Sequence, residues 1–190
     1  MRYFYKVYGL NFCSQDLEFP QLIPLLSDNK IIDVNIFKDN LKNWSPLKNS
    51  KFDTEFLIIN SKDIRIFIDN VVIIKISEGK NISWDKLNQD LDDRDIIPFI
   101  MSTGIGSILI QRNNLVLHGN ALEKNGDAIC CIGPSGFGKS TIAYAMNQNG
   151  WNLLSDDLVL VDSEMNIELG IPAIKLWSDA IRKFKIESNL

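Results

Sequence analysis

The 190-residue sequence predicts an α/β protein: a nucleotide-binding core on a mixed sheet over residues 96–190, preceded by a small β-rich domain over residues 1–95. Three observations carry that prediction. Short apolar runs separated by polar turns fill the first half, as strands do. A long apolar stretch follows the acidic segment Asp85–Asp95, and from Leu115 a hairpin leads into a different pattern. In that pattern an apolar strand, a glycine-rich loop and a helix succeed one another, the order found where α/β sheets bind phosphate.

Tyr3 to Leu10 opens the chain with aromatic and β-branched character, and Ile31–Phe37, Phe56–Ile59, Ile64–Ile68 and Val71–Ile76 are further strand candidates. Asp69-Asn70 between the last two predicts a tight hairpin turn. Pro20, Pro24 and Pro46 fall in connecting segments, where a missing N–H costs little. The acidic stretch Asp85–Asp95 reads as a solvated turn and helix entry. Asp95 is the expected N-cap of a helix from Ile96 to about Gln111, with Pro98 in its first turn. Gly104 and Gly106 lower helix propensity there and point to close packing against a sheet. No strand precedes this glycine pair, so it is not a nucleotide signature.

Leu115–Leu122 and Asp127–Ile132 flank Lys124-Asn125-Gly126, a strong hairpin signal. The run Ala128–Ile132 ends at Gly133-Pro134-Ser135-Gly136-Phe137-Gly138-Lys139-Ser140, which matches G-x-x-x-x-G-K-[ST] at every fixed position. Ser140 to Asn149 reads as a helix stopped by Gly150. A strand at Trp151–Leu154, the triplet Ser155-Asp156-Asp157 and a strand at Leu158–Val161 follow. Glycines in such a loop let main-chain N–H groups converge on phosphate oxygens, and the helix N-terminus adds a favourable field. Gly133 to Gly138, with Lys139, Ser140 and Thr141, are therefore the candidate nucleotide-binding residues. Lys139 would reach the outer phosphates of ATP or GTP, and the Ser140 hydroxyl would ligate Mg²⁺. A glycine-containing turn without a ligand is the simpler alternative.

Composition narrows the class further. Apolar content of 45% and charged content of 23% describe ordinary globular material. A net charge of −4, with Lys and Arg scattered, argues against nucleic-acid binding. Three cysteines, two of them the adjacent Cys130 and Cys131, make no disulfide framework, so a reducing, cytoplasmic setting is expected. The N-terminus carries no signal-peptide apolar core. The tract Ile96–Ile110 is too short and too interrupted to span a bilayer comfortably, so it reads as a buried helix and no membrane association is expected, with membrane insertion as the minor alternative.

Phosphoryl transfer needs a metal ligand and a group that accepts the proton of the attacking hydroxyl. Asp156 and Asp157 follow an apolar strand directly after the loop's helix, at the strand end where α/β sheets bind ligands. Adjacent carboxylates point different ways, so one can face the metal and the other the acceptor; a polar turn between strands is the equal alternative. His118 is the one histidine of the chain. It reads either as a satisfied polar residue on a strand or as a group tuning a nearby carboxylate.

Leu117-His118-Gly119, Asn125-Gly126, Gly133–Thr141 and Leu154-Ser155-Asp156-Asp157 together resemble the catalytic domain of bacterial HPr kinase/phosphorylase. They resemble more closely the HPr-kinase-like proteins of peptide-modification gene clusters, including the kinases of lasso peptides. Tyr8-Gly9-Leu10 and Gly170–Trp177 are similar to that group as well, so the resemblance runs along most of the chain. It implies a Mg²⁺-dependent kinase that transfers the nucleotide γ-phosphate to a serine hydroxyl of a peptide or protein. In that reading Asp157 accepts the hydroxyl proton, His118 supports Asp157, Lys139 and the loop amides hold the phosphates, and Ser140 and Asp156 hold Mg²⁺. The family continues past the position where this chain reaches Leu190 and supplies a further acidic metal ligand and basic residues there. The expectation is thus a domain truncated at its C-terminus, with a short amphipathic helix carrying Leu176, Trp177, Ala180, Ile181 and Phe184. A second copy of the chain or a partner subunit would cover that stripe. The alternative from another class is a nucleotide-binding accessory protein with little or no catalysis.

Overall fold

Alternating apolar residues build the first part strand by strand, and a computed structural model describes residues 1–25, 31–41, 50–174, 176, 181, 182 and 184. The chain divides into two units, Met1–Val116 and Leu117–Leu190. The division falls after Val116 and not at residue 95, because the helical segment packs on the sheet of the first unit.

In that unit β1 (Tyr3–Val7) and β2 (Leu10–Ser14) form a hairpin. Its turn places Tyr8 and Gly9 at φ 51° and 70°, the two positive values of a tight hairpin turn. The two-residue strand β3 (Ile23–Pro24) lies at the sheet edge, where Pro24 needs no ladder N–H. β4 (Val34–Lys38) runs parallel to β2, and β9 (Asn81–Lys86) runs parallel to β4. β5 (Phe52–Asp53), β6 (Leu57–Ile59), β7 (Asp63–Ile68) and β8 (Val72–Ser77) form an antiparallel meander that joins β9 through β8. The result is a nine-stranded mixed sheet of order β3-β1-β2-β4-β9-β8-β7-β6-β5.

Phe12, Ile36, Ile74, Ile76, Ile82 and Trp84 are fully buried in this unit. Each contributes roughly 1.5–3 kcal/mol relative to exposure. Against the sheet packs a helical run made of a 3₁₀ turn (Asp93–Ile96), α1 (Ile97–Phe99), a π-type turn (Ile100–Gly104) and α2 (Ile105–Gln111). Its Ile96, Ile100, Ile105, Ile108 and Leu109 are fully buried. A Cβ on Gly104 would lie 3.5 Å from Ile82, so this glycine sits against β9 as expected. The cap differs from expectation. Asp92 is the N-cap, and Asp95 closes a capping box as its N3 residue. Three hydrogen bonds from Arg94, two from its guanidinium and one from its backbone N–H, hold the Asp92 carboxyl at a pKa of about 2. The acidic stretch also differs, because Asp85 belongs to β9 and is only 5% exposed.

The second unit carries a four-stranded sheet. β10 (Leu115–Lys124) and β11 (Asp127–Ile132) form the expected hairpin, with Asn125 and Gly126 at φ 58° and 89°. Glu123 braces it, accepting from the Gly126 N–H at 2.8 Å and the Asn152 amide at 3.1 Å, which holds its carboxyl below the usual range. α3 (Lys139–Gln148) follows the glycine loop and ends before Gly150, at φ 80°. β12 (Asn152–Ser155) and β13 (Leu158–Val161) both pair with β10. One sheet face closes on Ala121, Val159 and Val161, with Leu117, Cys130, Leu154 and Ile167 packed around them. Burial pushes the Cys130 thiol up, in keeping with its role as a small apolar residue.

The expected α/β core is therefore corrected. Among the described residues strand outweighs helix, 39% against 19%, and the mixed sheet lies in the N-terminal unit. Around the glycine loop β10 pairs antiparallel with both β11 and β12, and α3 is a single ten-residue helix. The strands before and after the loop's helix are thus separated by β10, which runs antiparallel to both. The expected C-terminal helix falls largely outside the described residues, Trp177 and Ala180 included. Of its stripe, Phe184 packs its ring on Tyr144 of α3, with centroids 4.6 Å apart. Among the described residues no helix is long and apolar enough to cross a membrane.

Candidate active site

The loop Gly133–Gly138 joins the end of β11 to the first residue of α3. Gly136 and Gly138 adopt φ 83° and 82°, values that a side-chain-bearing residue rarely takes. A Cβ at either would meet nothing within 4 Å, so the space over the loop is open. Lys139 Nζ donates to the carbonyls of Gly133 at 2.9 Å and Pro134 at 3.0 Å, holding the ammonium across the loop. Phe137, at the loop tip, is 77% exposed.

At the second residue of the helix, the Ser140 hydroxyl lies 3.3 Å from each carboxylate oxygen of Asp156. Asp156 is buried, and its backbone is anchored as well as its side chain. Its N–H donates to the Ile171 carbonyl at 3.0 Å, and the Ile171 N–H donates to Ser155 Oγ at 3.1 Å. Ser155 Oγ in turn donates to the Leu158 carbonyl at 2.6 Å. The segment Gly170-Ile171 thus clamps the Ser155-Asp156 corner, a task its sequence did not disclose. The serine before the acidic pair was the available signal.

Asp157 turns the chain with φ 76°, so its side chain leaves in another direction from that of Asp156. His118 Nδ1 lies 3.3 Å from Asp157 Oδ1 and 3.1 Å from the Asp157 carbonyl oxygen. The Gly119 N–H donates to that same carbonyl at 3.2 Å. Asp157 and His118 are open to solvent, with side chains 32% and 55% exposed. A solvent-borne hydroxyl can therefore reach Asp157, whereas Asp156 faces inward to Ser140. Lys139, Ser140, Asp156, Asp157 and His118 are thus brought to one end of one sheet. Thr141 stands beside them in the first turn of α3.

The donors suit a hard cation and a phosphate chain. Mg²⁺ is commonly held by one or two protein oxygens together with nucleotide phosphates and water. Ser140 and Asp156 offer that oxygen set, and the loop amides with Lys139 offer the anion contacts. Among the described residues no group of three or more His, Cys, Asp and Glu gathers into a metal cage. Compared with family models, curated proteins and solved structures, the chain matches none.

Gly119 has a second role that the sequence motif left unexplained. A Cβ there would fall 2.4 Å from the Cys131 carbonyl oxygen and 3.0 Å from Ile132 Cγ2. The obstacle is backbone, so a rotamer change cannot relieve it. Gly119→Ala is expected to destabilise the second unit by about 2–3 kcal/mol through overpacking. Chemical denaturation would read this as a lower midpoint with an unchanged slope.

Proposed function

We propose that the loop Gly133–Ser140 binds the phosphates of ATP or GTP with Mg²⁺, and that the chain transfers the γ-phosphate to a serine hydroxyl of a peptide or protein. The observation that carries this reading is the meeting of two pairs, Ser140–Asp156 and His118–Asp157, beside the loop that Lys139 spans. One pair suits a cation and the other suits a proton.

Each residue has a part in the proposed reaction. The Lys139 ammonium and the loop N–H groups bind and orient the triphosphate. Ser140 and Asp156 hold Mg²⁺, which when bound neutralises phosphate charge. Asp157 accepts the proton of the acceptor hydroxyl as its oxygen bonds to the γ-phosphorus, and the bond to the bridging oxygen breaks to release the nucleoside diphosphate. His118 holds the Asp157 side chain and main chain from one ring nitrogen and so orients the base. The resemblance to HPr-kinase-like proteins supports the same assignment and adds the class of acceptor.

The test is transfer of radiolabelled γ-phosphate from ATP to serine-containing peptides, with Mg²⁺ present and with chelator as control. Labelled peptide, lost when serine is replaced by alanine, is the expected result. Calorimetry run alongside separates the outcomes. Nucleotide binding without transfer to any acceptor would make the chain a nucleotide-binding accessory protein. Indifference to both ATP and GTP at millimolar concentration would end the reading.

A further inference from the structure

Asn120 is fully buried, and among the described residues neither its Nδ2 nor its Oδ1 has a hydrogen-bond partner. Buried amides are ordinarily paired, because an unpaired donor or acceptor loses its bonds to water with nothing in return. The place of this one is informative. On one side its cross-strand neighbour is Cys131, just ahead of the loop that begins at Gly133. On the other side Ala121 pairs with Ser155, while the Gly119 N–H bonds the Asp157 carbonyl. Asn120 lies between those two contacts and therefore alongside Asp156.

Side chains alternate along β10. Leu117 and Ala121 go to the face of Val159 and Val161. By the same alternation Asn120 belongs to the opposite face, with His118 and Leu122, and because Ala121 pairs with Ser155, the next residue Asp156 falls on the Asn120 side. An uncommitted donor and an uncommitted acceptor thus stand on β10 at the level of Asp156.

We propose that Asn120 is a positioning residue of this site: its amide holds the Asp156 carboxylate, directly or through one trapped water, when Ser140 turns its oxygen to a divalent cation. The inference rests on the nucleotide–Mg²⁺ reading given above. Ser140 now spreads one hydroxyl over both Asp156 oxygens at 3.3 Å, a long and divided hydrogen bond. Committing that oxygen to a cation changes the bond, and a ligating carboxylate is kept in place by hydrogen bonds from the groups behind it. An amide supplies a donor for the carboxylate and an acceptor for the hydroxyl or a water.

Asn120→Leu separates this role from a merely structural one. Leucine shares the γ-branched shape of asparagine but is larger, so the gain from removing two unpaired polar atoms is set against mild overpacking, and the ligand-free melting temperature should stay nearly level. Nucleotide affinity measured by calorimetry in chelator should be unchanged, while affinity in saturating Mg²⁺ should fall about tenfold. Affinity in Mg²⁺ that stays within about twofold of the wild-type value, a change too small to reflect a lost orienting hydrogen bond, would overturn the inference alone. A wild-type chain that binds no nucleotide with Mg²⁺ would overturn both the inference and the reading beneath it. Should circular dichroism show the leucine variant unfolded, Asn120→Ser and Asn120→Ala replace it. Serine should then bind Mg²⁺-nucleotide about fivefold more tightly than alanine, and equal affinities would refute the role.

Discussion

Asp157→Asn is expected to lower phosphoryl transfer by about 10²–10⁴-fold, the usual contribution of a general base. Nucleotide affinity should stay within about threefold, because uniform binding does not depend on the base. The local geometry makes this substitution clean. Asp157 sits at φ 76°, a conformation that asparagine adopts more readily than most residues, so the turn between β12 and β13 should survive. Asparagine also keeps an oxygen that His118 Nδ1 can contact, now at 3.3 Å from Asp157 Oδ1. What is lost is the ability to take up a proton. Single-turnover transfer and calorimetric affinity, measured on the same preparation, decide the matter. Undiminished transfer would remove Asp157 from the proposed reaction and return the pair to a polar turn.

Lys139→Ala should weaken nucleotide binding by about 10–100-fold, the range for losing a hydrogen bond to a charged group. Transfer should fall with it. In the ligand-free protein the ammonium donates to the Gly133 and Pro134 carbonyls at 2.9 and 3.0 Å. Binding a triphosphate must exchange those neutral acceptors for anionic ones, which form shorter and stronger bonds. The loop is open to solvent, so its carbonyls can turn to water in the variant, and ligand-free stability should change by only about 0.5 kcal/mol. A melting experiment then gives a specific contrast. Nucleotide at about tenfold its wild-type Kd should raise the wild-type transition and move the variant much less. Equal shifts in both proteins would show that Lys139 does not touch the phosphates.

Much of the second unit was legible before any coordinates. Asn125-Gly126 supplies positive φ at both turn centres, and β10 and β11 pair through it. Gly150 stops α3, and β13 occupies Leu158–Val161 as read. The loop residues, His118, Asp156 and Asp157 could be nominated from spacing and resemblance. Their meeting was not in the spacing: β10 must lie between β11 and β12 for the Gly119 N–H to reach the Asp157 carbonyl and for His118 to stand beside that aspartate. The α/β expectation failed for the same reason. A strand–loop–helix–strand order says nothing about which strand occupies the gap in the sheet.

In the first unit β2, β3, β5 and β9 have no counterpart among the expected strands, and β9 is the central one. Asn81–Lys86 carries Trp84 and Ile82 among polar residues, so no strand is expected there, and its last two residues fall in the acidic stretch read as turn. Asp85 is buried there because its carboxylate accepts the Leu41 N–H at 3.1 Å, a partner more than forty residues away. The N-cap was missed more narrowly, since Asp92 and Asp95 are both acceptable caps and the capping box uses both.

Short-range chemistry therefore settled the turns, the glycine loop, the helix that follows it and the identity of the reactive side chains, because φ preference and hydrogen bonding to the next few residues are properties of the local chain. Long-range pairing settled the rest. The parallel contacts of β2, β4 and β9, the insertion of β10, the close approach at Gly119 and the orphaned amide of Asn120 each depend on a neighbour distant in sequence. Such neighbours are chosen by the burial of whole sheet faces, a collective free energy that no short window of residues contains.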